Sequence, residues 1–400
     1  MSTIKSSAEN LTLNADGANN DIIFQSNGSN VATLDQAGLL TATSFAGSAA
    51  SLTAIPVTGL RPSAKPIIIN GDMQVAQRGT SFSHADAGGN NWTVDRFNIN
   101  TGSIGVYTSI QESLTSGAAF DAGFKKAARI DCTTAEASPA GGDYFYAEYK
   151  IEAQDCLAFK KGTSAAETMT VAFWVKSNKT GTSQLTVKDG DNDRICAGTY
   201  AISVANTWEH KVINIAADTT GAFNNDNGAG YIFEWWLGGG TSYTSGTAPT
   251  AWEARTDADR GANHLAINDN TANDWAITGI QVEVGTYTAA TLPPFQFESY
   301  GDNLARCQRY YTKGSISNTG NGSTAYTGGS AMFNPRMRAT PTIVVSDDEG
   351  NVGKCSADST DNINAYAYKV SDVYVATSTA NVVVGQNVYY NQQFTASAEL

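Results

Sequence analysis

The chain has 400 residues, 25 Lys+Arg against 38 Asp+Glu and a formal net charge of −13. Charged residues make up only 16%, below the ~25% of an average globular domain, while 41% are hydrophobic and 10% aromatic. A chain this apolar is not disordered, and one this acidic with no basic cluster is no nucleic-acid binder, because that affinity comes from Lys and Arg on phosphates.

No apolar run approaches the ~20 residues of a membrane-spanning helix, so membrane insertion is not expected. The N-terminal Met1-Ser-Thr-Ile-Lys has no apolar core, so a secretory signal is not expected either. The five cysteines are scattered, with no C-x-x-C pair, which reads as buried reduced thiols.

Residues 1–60 contain no Trp, Tyr or Arg, and Ser, Thr, Ala and Asn fill 31 of the 60 positions. Short strands are predicted over 10–14, 21–25, 30–35 and 39–45, with Asp16-Gly17 and Asn27-Gly28 as turns needing φ > 0. Such strands hold too little apolar surface for a core of their own, so the segment is read as a shaft or attachment region ordered by other copies in a symmetric oligomer. Three prolines between Ile55 and Pro66 then mark an extended linker, placed at 61–66.

Residues 67–300 hold all seven tryptophans. Strand patterns recur at 167–176, 183–188, 208–215, 231–237 and 274–284, separated by turn clusters such as Lys188-Asp-Gly-Asp-Asn-Asp193. Many strands with no helical period between them predict antiparallel sheets closed as a jelly-roll β-sandwich. Residues 301–400 open with a predicted helix over 302–313, capped by Asp302 and stopped by Gly314, with Leu304, Cys307 and Tyr311 on one face. Strands at 342–346, 372–376 and 381–384 make the rest a smaller β domain. The expected fold is therefore mainly β: an N-terminal short-strand segment, a central jelly-roll sandwich, and a small C-terminal β domain preceded by one helix.

Catalytic motifs of fixed spacing are absent: there is no G-x-S-x-G, H-E-x-x-H or G-x-x-x-x-G-K-[ST]. The three histidines are dispersed, and His210, in a predicted strand, reads as structural. Asp189, Asp191 and Asp193 form D-x-D-x-D, which could offer oxygens to a structural calcium. As an EF-hand it fails, with Arg194 at the glycine position and Tyr200 at the last ligand, so a solvated acidic turn is the simpler reading. Glu234 and Glu283 are the best pair for glycoside cleavage, although a binding role suffices for both.

Strand alternation proposes a ligand face. Val171, Phe173 and Val175 point to the core, which turns Trp174 and Lys176 outward. Tyr231, Phe233, Trp235 and Leu237 do the same for Glu234 and Trp236. Gln281 and Glu283 share a face opposite Ile280 and Val282. Trp174, Lys176, Glu234, Trp236, Gln281 and Glu283 together would suit a sugar, whose C–H patches stack on aromatic rings while amides and carboxylates take its hydroxyls. The competing reading covers Trp174 and Trp236 with a loop, domain or subunit. It would move recognition to Trp92, Tyr243 and Trp252.

Two blocks carry a resemblance. One is Ile67-Ile-Ile-Asn-Gly-Asp-Met-Gln-Val-Ala-Gln-Arg-Gly-Thr-Ser-Phe82 with Asp95-Arg96-Phe97. The other is Ile280-Gln-Val-Glu-Val-Gly285 with Pro294-Phe295 and Tyr300-Gly-Asp-Asn-Leu-Ala-Arg-Cys-Gln-Arg-Tyr-Tyr311. Together the sequence resembles bacteriophage tail-fibre and related virion surface proteins with a carbohydrate-binding-module-like jelly roll. The resemblance implies a non-enzymatic homotrimeric tail fibre or receptor-binding protein, folded in the host cytoplasm. On the virion it would contact other phage proteins and host surface glycans, and it would need no cofactor. The runner-up is a head fibre or capsid decoration protein, and the alternative from another class is a polysaccharide depolymerase.

Overall fold

The computed structural model describes residues 21–34, 40–42, 65–84, 89–320, 326–357, 360–380 and 388–400. The protein is mainly β, with 47% strand and 9% helix. Chain contacts divide it into two compact units, 1–56 and 57–400. The expected strands at 10–14 and 381–384, the Asp16-Gly17 turn and most of the linker lie outside the described residues.

The first unit holds one antiparallel sheet of β1 (Ile22–Ser26), β2 (Ser29–Leu34) and β3 (Leu40–Ala42), in that order. Asn27 and Gly28 have φ of 51° and 79°, as a two-residue type I′ hairpin requires. Cross-strand partners share a face, and the pairs Ile22–Leu34, Leu34–Leu40 and Phe24–Ala32 gather apolar side chains on one side of the sheet. Phe24 and Leu40 are exposed there.

In the second unit the sandwich strands are β4 (Ser81–His84), β5 (Gly89–Trp92), β6 (Asn98–Gly102), β7 (Val106–Ser113), β8 (Lys126–Thr134) and β9 (Tyr144–Glu152). They continue with β10 (Met169–Ser177), β11 (Gly181–Asp189), β12 (Arg194–Ile202), β13 (Glu209–Ile215), β14 (Ala229–Gly239), β15 (Glu253–Ala254) and β16 (Asp274–Val284). Two short helices, α1 (Ala118–Asp121) and α2 (Thr241–Thr244), interrupt them. One sheet runs β13-β10-β16-β8-β7-β4 and the other β15-β12-β11-β14-β9-β6-β5, all neighbours antiparallel. The core lies between them. Phe173 of the first sheet meets Trp235 of the second edge-on at 5.9 Å, and Tyr107 stacks on Phe145 at 3.9 Å. Val171, Phe173, Val175, Tyr231, Phe233, Trp235 and Leu237 all belong to this core, as alternation predicts.

Helix α3 (Tyr300–Gln308) follows, then β17 (Tyr311–Gly320), β18 (Tyr326–Met332), β19 (Thr342–Ser346), β20 (Lys354–Ala357), β21 (Thr360–Val370), β22 (Tyr374–Ala380) and β23 (Val388–Ser397). These strands make one sheet system with its own core around Phe333, Met337 and Phe394. The helix starts two residues before Asp302. Its cap is Ser299, whose hydroxyl accepts from the Asp302 amide at 3.2 Å. It also ends earlier than expected, because Tyr311 opens β17, and Tyr310 takes the core position beside Cys307.

Residues 300–400 share one compact unit with the sandwich and are locked to it by buried polar contacts. Glu152, fully buried at the end of β9, accepts from Arg309 at 2.7 Å and Tyr310 at 2.5 Å. The buried Arg96 guanidinium pairs with Glu399 at 2.7 Å and lies 3.5 Å from the Tyr310 ring centroid. The two blocks behind the resemblance meet here: the Ile280 amide donates to the Gly71 carbonyl at 2.9 Å, and Asn303 donates to Asp72 at 3.2 Å. A Cβ on Gly71 would stand 2.3 Å from the Ile280 carbonyl oxygen, so this crossing requires glycine. All five cysteines are buried and free, and burial pushes each thiol pKa up, to about 12 for Cys156. Among the described residues no helix is long and apolar enough to cross a membrane.

Candidate functional site

The outer face of the β13-β10-β16 sheet carries a cavity of about 290 Å³. Its floor follows from strand register. Trp174 of β10 is directly opposite His210 of β13, and the two rings lie 5.0 Å apart at 35°. Against β16 the register slips by one residue, so that Ala172 faces Gln281 while Trp174 faces Thr278. The slip occurs at Gly279, whose φ is +62° and whose missing Cβ makes room for the Phe124 ring, 2.6 Å from where it would stand.

The walls are apolar. Phe124, just after α1, packs against Phe295 and Phe297 at 4.9 and 5.1 Å, and Leu292, Pro293 and Pro294 close the remaining side. Two polar groups converge inside. Gln281 donates its amide nitrogen to Glu283 at 2.8 Å and to the Pro293 carbonyl at 2.9 Å, which leaves its amide oxygen to a ligand. Neither ring nitrogen of His210 has a hydrogen-bond partner among the described residues. Burial, with a smaller effect from Lys211, lowers its pKa, so at neutral pH the imidazole is uncharged and can both donate and accept.

The six residues proposed for one glycan face do not share a face. Trp174 and Gln281 line the cavity, and Glu283 stands beside Gln281. Lys176 is on the same side but is turned to Glu112 at 3.5 Å and over the Trp208 ring at 5.2 Å. Glu234 and Trp236 belong to the other sheet, on its own outer face, and both are fully buried. Trp236 points away from the core as alternation requires, but the segment after α2 covers it. The Arg260 guanidinium lies 5.1 to 5.5 Å from the ring centroids of Trp236, Tyr243 and Tyr146. It also grips Glu234 with two hydrogen bonds of 2.8 and 3.1 Å, while Lys188 adds an ion pair at 3.1 Å. Burial opposes the charge on Glu234, yet Lys188 and Arg260 outweigh it and hold its pKa below the usual value. Glu234 and Glu283 therefore sit on separate sheets and do not form a carboxylate pair.

The D-x-D-x-D loop is also spoken for. Lys161, almost wholly buried, places its ammonium 2.5 Å from Asp189 and 3.1 Å from Asp218, and donates to the carbonyls of Thr220 and Gly221 at 2.8 and 2.6 Å. Asp191 accepts from Asn224, and Asp193 pairs with Arg255 at 2.9 Å. Lys161 thus takes one oxygen of Asp189, and the amides of Asp191 and Asn192 take the other. Among the described residues no His, Cys, Asp and Glu cluster could hold a metal ion. Trp92, which ends β5, lies under Arg78; Tyr243, in α2, packs against Trp236; and Trp252 donates to the Ala216 carbonyl at 2.7 Å, so all three have structural partners.

Sequence reasoning missed His210, Phe124 and Phe297. The pairing of β13 with β10 makes His210 a neighbour of Trp174, and nothing local to residue 210 announces that pairing. Phe295 was visible within the second block, without a role.

No protein-family model matches the chain, and no curated protein matches it. Several solved structures resemble part of it. The enzymatically active domain of tailspike protein 4 from bacteriophage CBA120 does so with a TM-score of 0.27 and 12% identity, over 55% of this chain and 21% of that one. This chain thus spans about a fifth of the tailspike's length. A family 11 carbohydrate-binding module from a cellulosomal cellulase of Clostridium thermocellum gives 0.25 and 7%, over 51% and 99% of the two chains. The N-terminal cellulose-binding domain of a β-1,4-glucanase from Cellulomonas fimi gives 0.22 and 10%, over 56% and 100%. Likenesses at this level carry no argument about ligand or activity.

Proposed function

We propose that this protein binds glycans at the Trp174 cavity without cleaving them, as a surface protein of a bacteriophage virion. The observation that carries the binding reading is the convergence of an indole, an imidazole with no internal partner and an amide oxygen in one apolar-walled cavity. A sugar offers a C–H face to the ring and hydroxyls to the two polar groups. Several features support binding without cleavage. Glu234 and Glu283 lie on different sheets. Glu148, the cross-strand neighbour of Glu234, is held by Lys150 at 3.1 Å, as Glu234 is by Arg260 and Lys188.

The virion role, with tail fibre or receptor-binding protein as its specific form, rests on the two sequence blocks described above. A homotrimer joined through residues 1–60 is supported by the apolar face of Ile22, Phe24, Ala32, Leu34 and Leu40. Several copies would turn a weak single site into firm attachment.

The test pairs two substitutions. Trp174→Ala should abolish binding to host surface polysaccharide while folding stability falls by less than ~2 kcal/mol, because that ring is only partly buried. Trp236→Ala should leave binding intact and cost ~3–5 kcal/mol. Binding that survives Trp174→Ala sinks the assignment, and shortening of the polysaccharide by the native protein sinks the non-enzymatic part. For the oligomer, light scattering should give a trimer for the full chain and a monomer after removal of residues 1–60. A monomeric full chain overturns it.

A further inference from the structure

We infer that the Trp174 cavity selects an uncharged sugar ring over an acidic ring of the same stereochemistry. This rests on the glycan reading above and adds the chemical class of the ligand. Acidic sugars are recognised by Arg or Lys, whose charge-assisted hydrogen bonds repay the desolvation of a carboxylate. No Arg or Lys lines this cavity. Its polar side-chain groups are one neutral imidazole, one amide and the Trp174 indole N–H, none of them a cation.

The nearest formal charges make the discrimination stronger. Gln281 has spent its amide nitrogen on Glu283 and Pro293, so it offers only an acceptor oxygen, which cannot bond a ligand carboxylate, and Glu283 at 2.8 Å from that nitrogen adds a second negative charge nearby. Lys176, the cation closest in sequence to Trp174, is engaged by Glu112 and Trp208 and turned away. Lys211, beside His210, pairs with Glu209 at 2.7 Å. A carboxylate entering here loses water and gains no cation. A hydroxymethyl group at the same ring position loses little and keeps hydrogen-bonding capacity. The volume of about 290 Å³ lies at the lower edge of small-molecule pockets and suits a single ring better than a stretch of chain.

The experiment uses matched pairs that differ only at C6: methyl glucoside against methyl glucuronide, and methyl galactoside against methyl galacturonide. Each is titrated into the full chain by saturation-transfer NMR and calorimetry. The expected result is at least tenfold tighter binding of the uncharged member in whichever pair binds. Ala289→Lys places a cation at the exposed rim of the cavity without touching the core, and it should narrow that gap at least threefold. A uronide that binds as well as its hexoside, with both lost in Trp174→Ala, overturns the selectivity and leaves the glycan site standing. If no member of either pair binds and host polysaccharide is still retained by Trp174→Ala, the cavity is not the glycan site and both readings fall together.

Discussion

Trp174 and Trp236 occupy equivalent places in the two sheets. Each is an outward residue on a strand flanked on both sides, with core aromatics as immediate neighbours. One lines a cavity and the other is sealed, and the difference comes from the charge beside each ring. Next to Trp236 stands Glu234. A buried carboxylate is tolerated only with a full set of partners, so Arg260 and Lys188 close on it. Arg260 brings its segment down until Gly261 rests on the indole, where a Cβ would come within 2.6 Å of the ring. Beside Trp174 the cavity is lined by a neutral histidine, an amide and apolar side chains, and the nearby Lys176–Glu112 pair joins two strands of the same sheet. The segment around Pro293 is held at the cavity wall by Gln281 and Phe124, no ion pair draws it across the ring, and a gap remains. An outward tryptophan is thus free or sealed according to its ionic neighbours, which strand periodicity does not report.

The sharpest way to break this comparison is to remove the seal. Arg260→Ala leaves Glu234 buried with Lys188 and the Trp236 indole N–H as its partners, and the expected loss in denaturant unfolding is ~3–5 kcal/mol, with binding at the Trp174 cavity unchanged wherever the protein is folded. A loss under ~1 kcal/mol would mean that the Trp236 face tolerates opening and that the two faces differ less than their geometry suggests.

A smaller effect is expected at the other buried ion cluster. Lys161→Ala removes the cation beside the buried Asp189, which keeps only hydrogen bonds from Asp191 and Asn192, while Asp218 keeps Arg194 at 2.9 Å, so about 3 kcal/mol should be lost. The melting temperature of the native protein should not move with EDTA or calcium, since the ammonium and the two amides already hold the Asp189 oxygens. A calcium-dependent rise in the native protein would show that Lys161 does not hold the site.

The smallest effect is a pH dependence. Burial, and then Lys211, depresses the His210 pKa below its unfolded value of ~6.5. The unfolded chain therefore binds more protons as pH falls past ~6.5, and stability drops until the folded pKa is passed. His210→Asn should flatten that part of the stability profile relative to the native protein. His264, also depressed by burial and distant from the cavity, keeps its own contribution in both. An unchanged profile would place His210 in a more solvated setting than the cavity provides.

Much of the fold was legible because the signals are local. The strand at 274–284 and that at 342–346 match β16 and β19 residue for residue, and the Asn27-Gly28 turn has the backbone its dipeptide demands. The helix was placed correctly in kind but shifted, because Asp302 was read as the cap and the Ser299 hydroxyl takes that role three residues earlier. The site was half legible. Alternation told which way Trp174 and Gln281 point, yet the same rule gave Glu234 and Trp236 the same standing, since it fixes a side of a strand and says nothing of which sheet the strand joins.

By itself, the sequence determined the β class, the turns, and the inward set of Val171, Phe173, Val175, Tyr231, Phe233, Trp235 and Leu237. Period-two hydrophobicity and turn dipeptides act within a few residues, so they are written in the chain. Tertiary structure alone decided that β10 lies between β13 and β16, that His210 therefore meets Trp174, and that Arg260 reaches Glu234 across 26 residues of sequence. Those are pairings between distant segments. They depend on which strand edges and which charges find each other in space, and no local pattern carries that information.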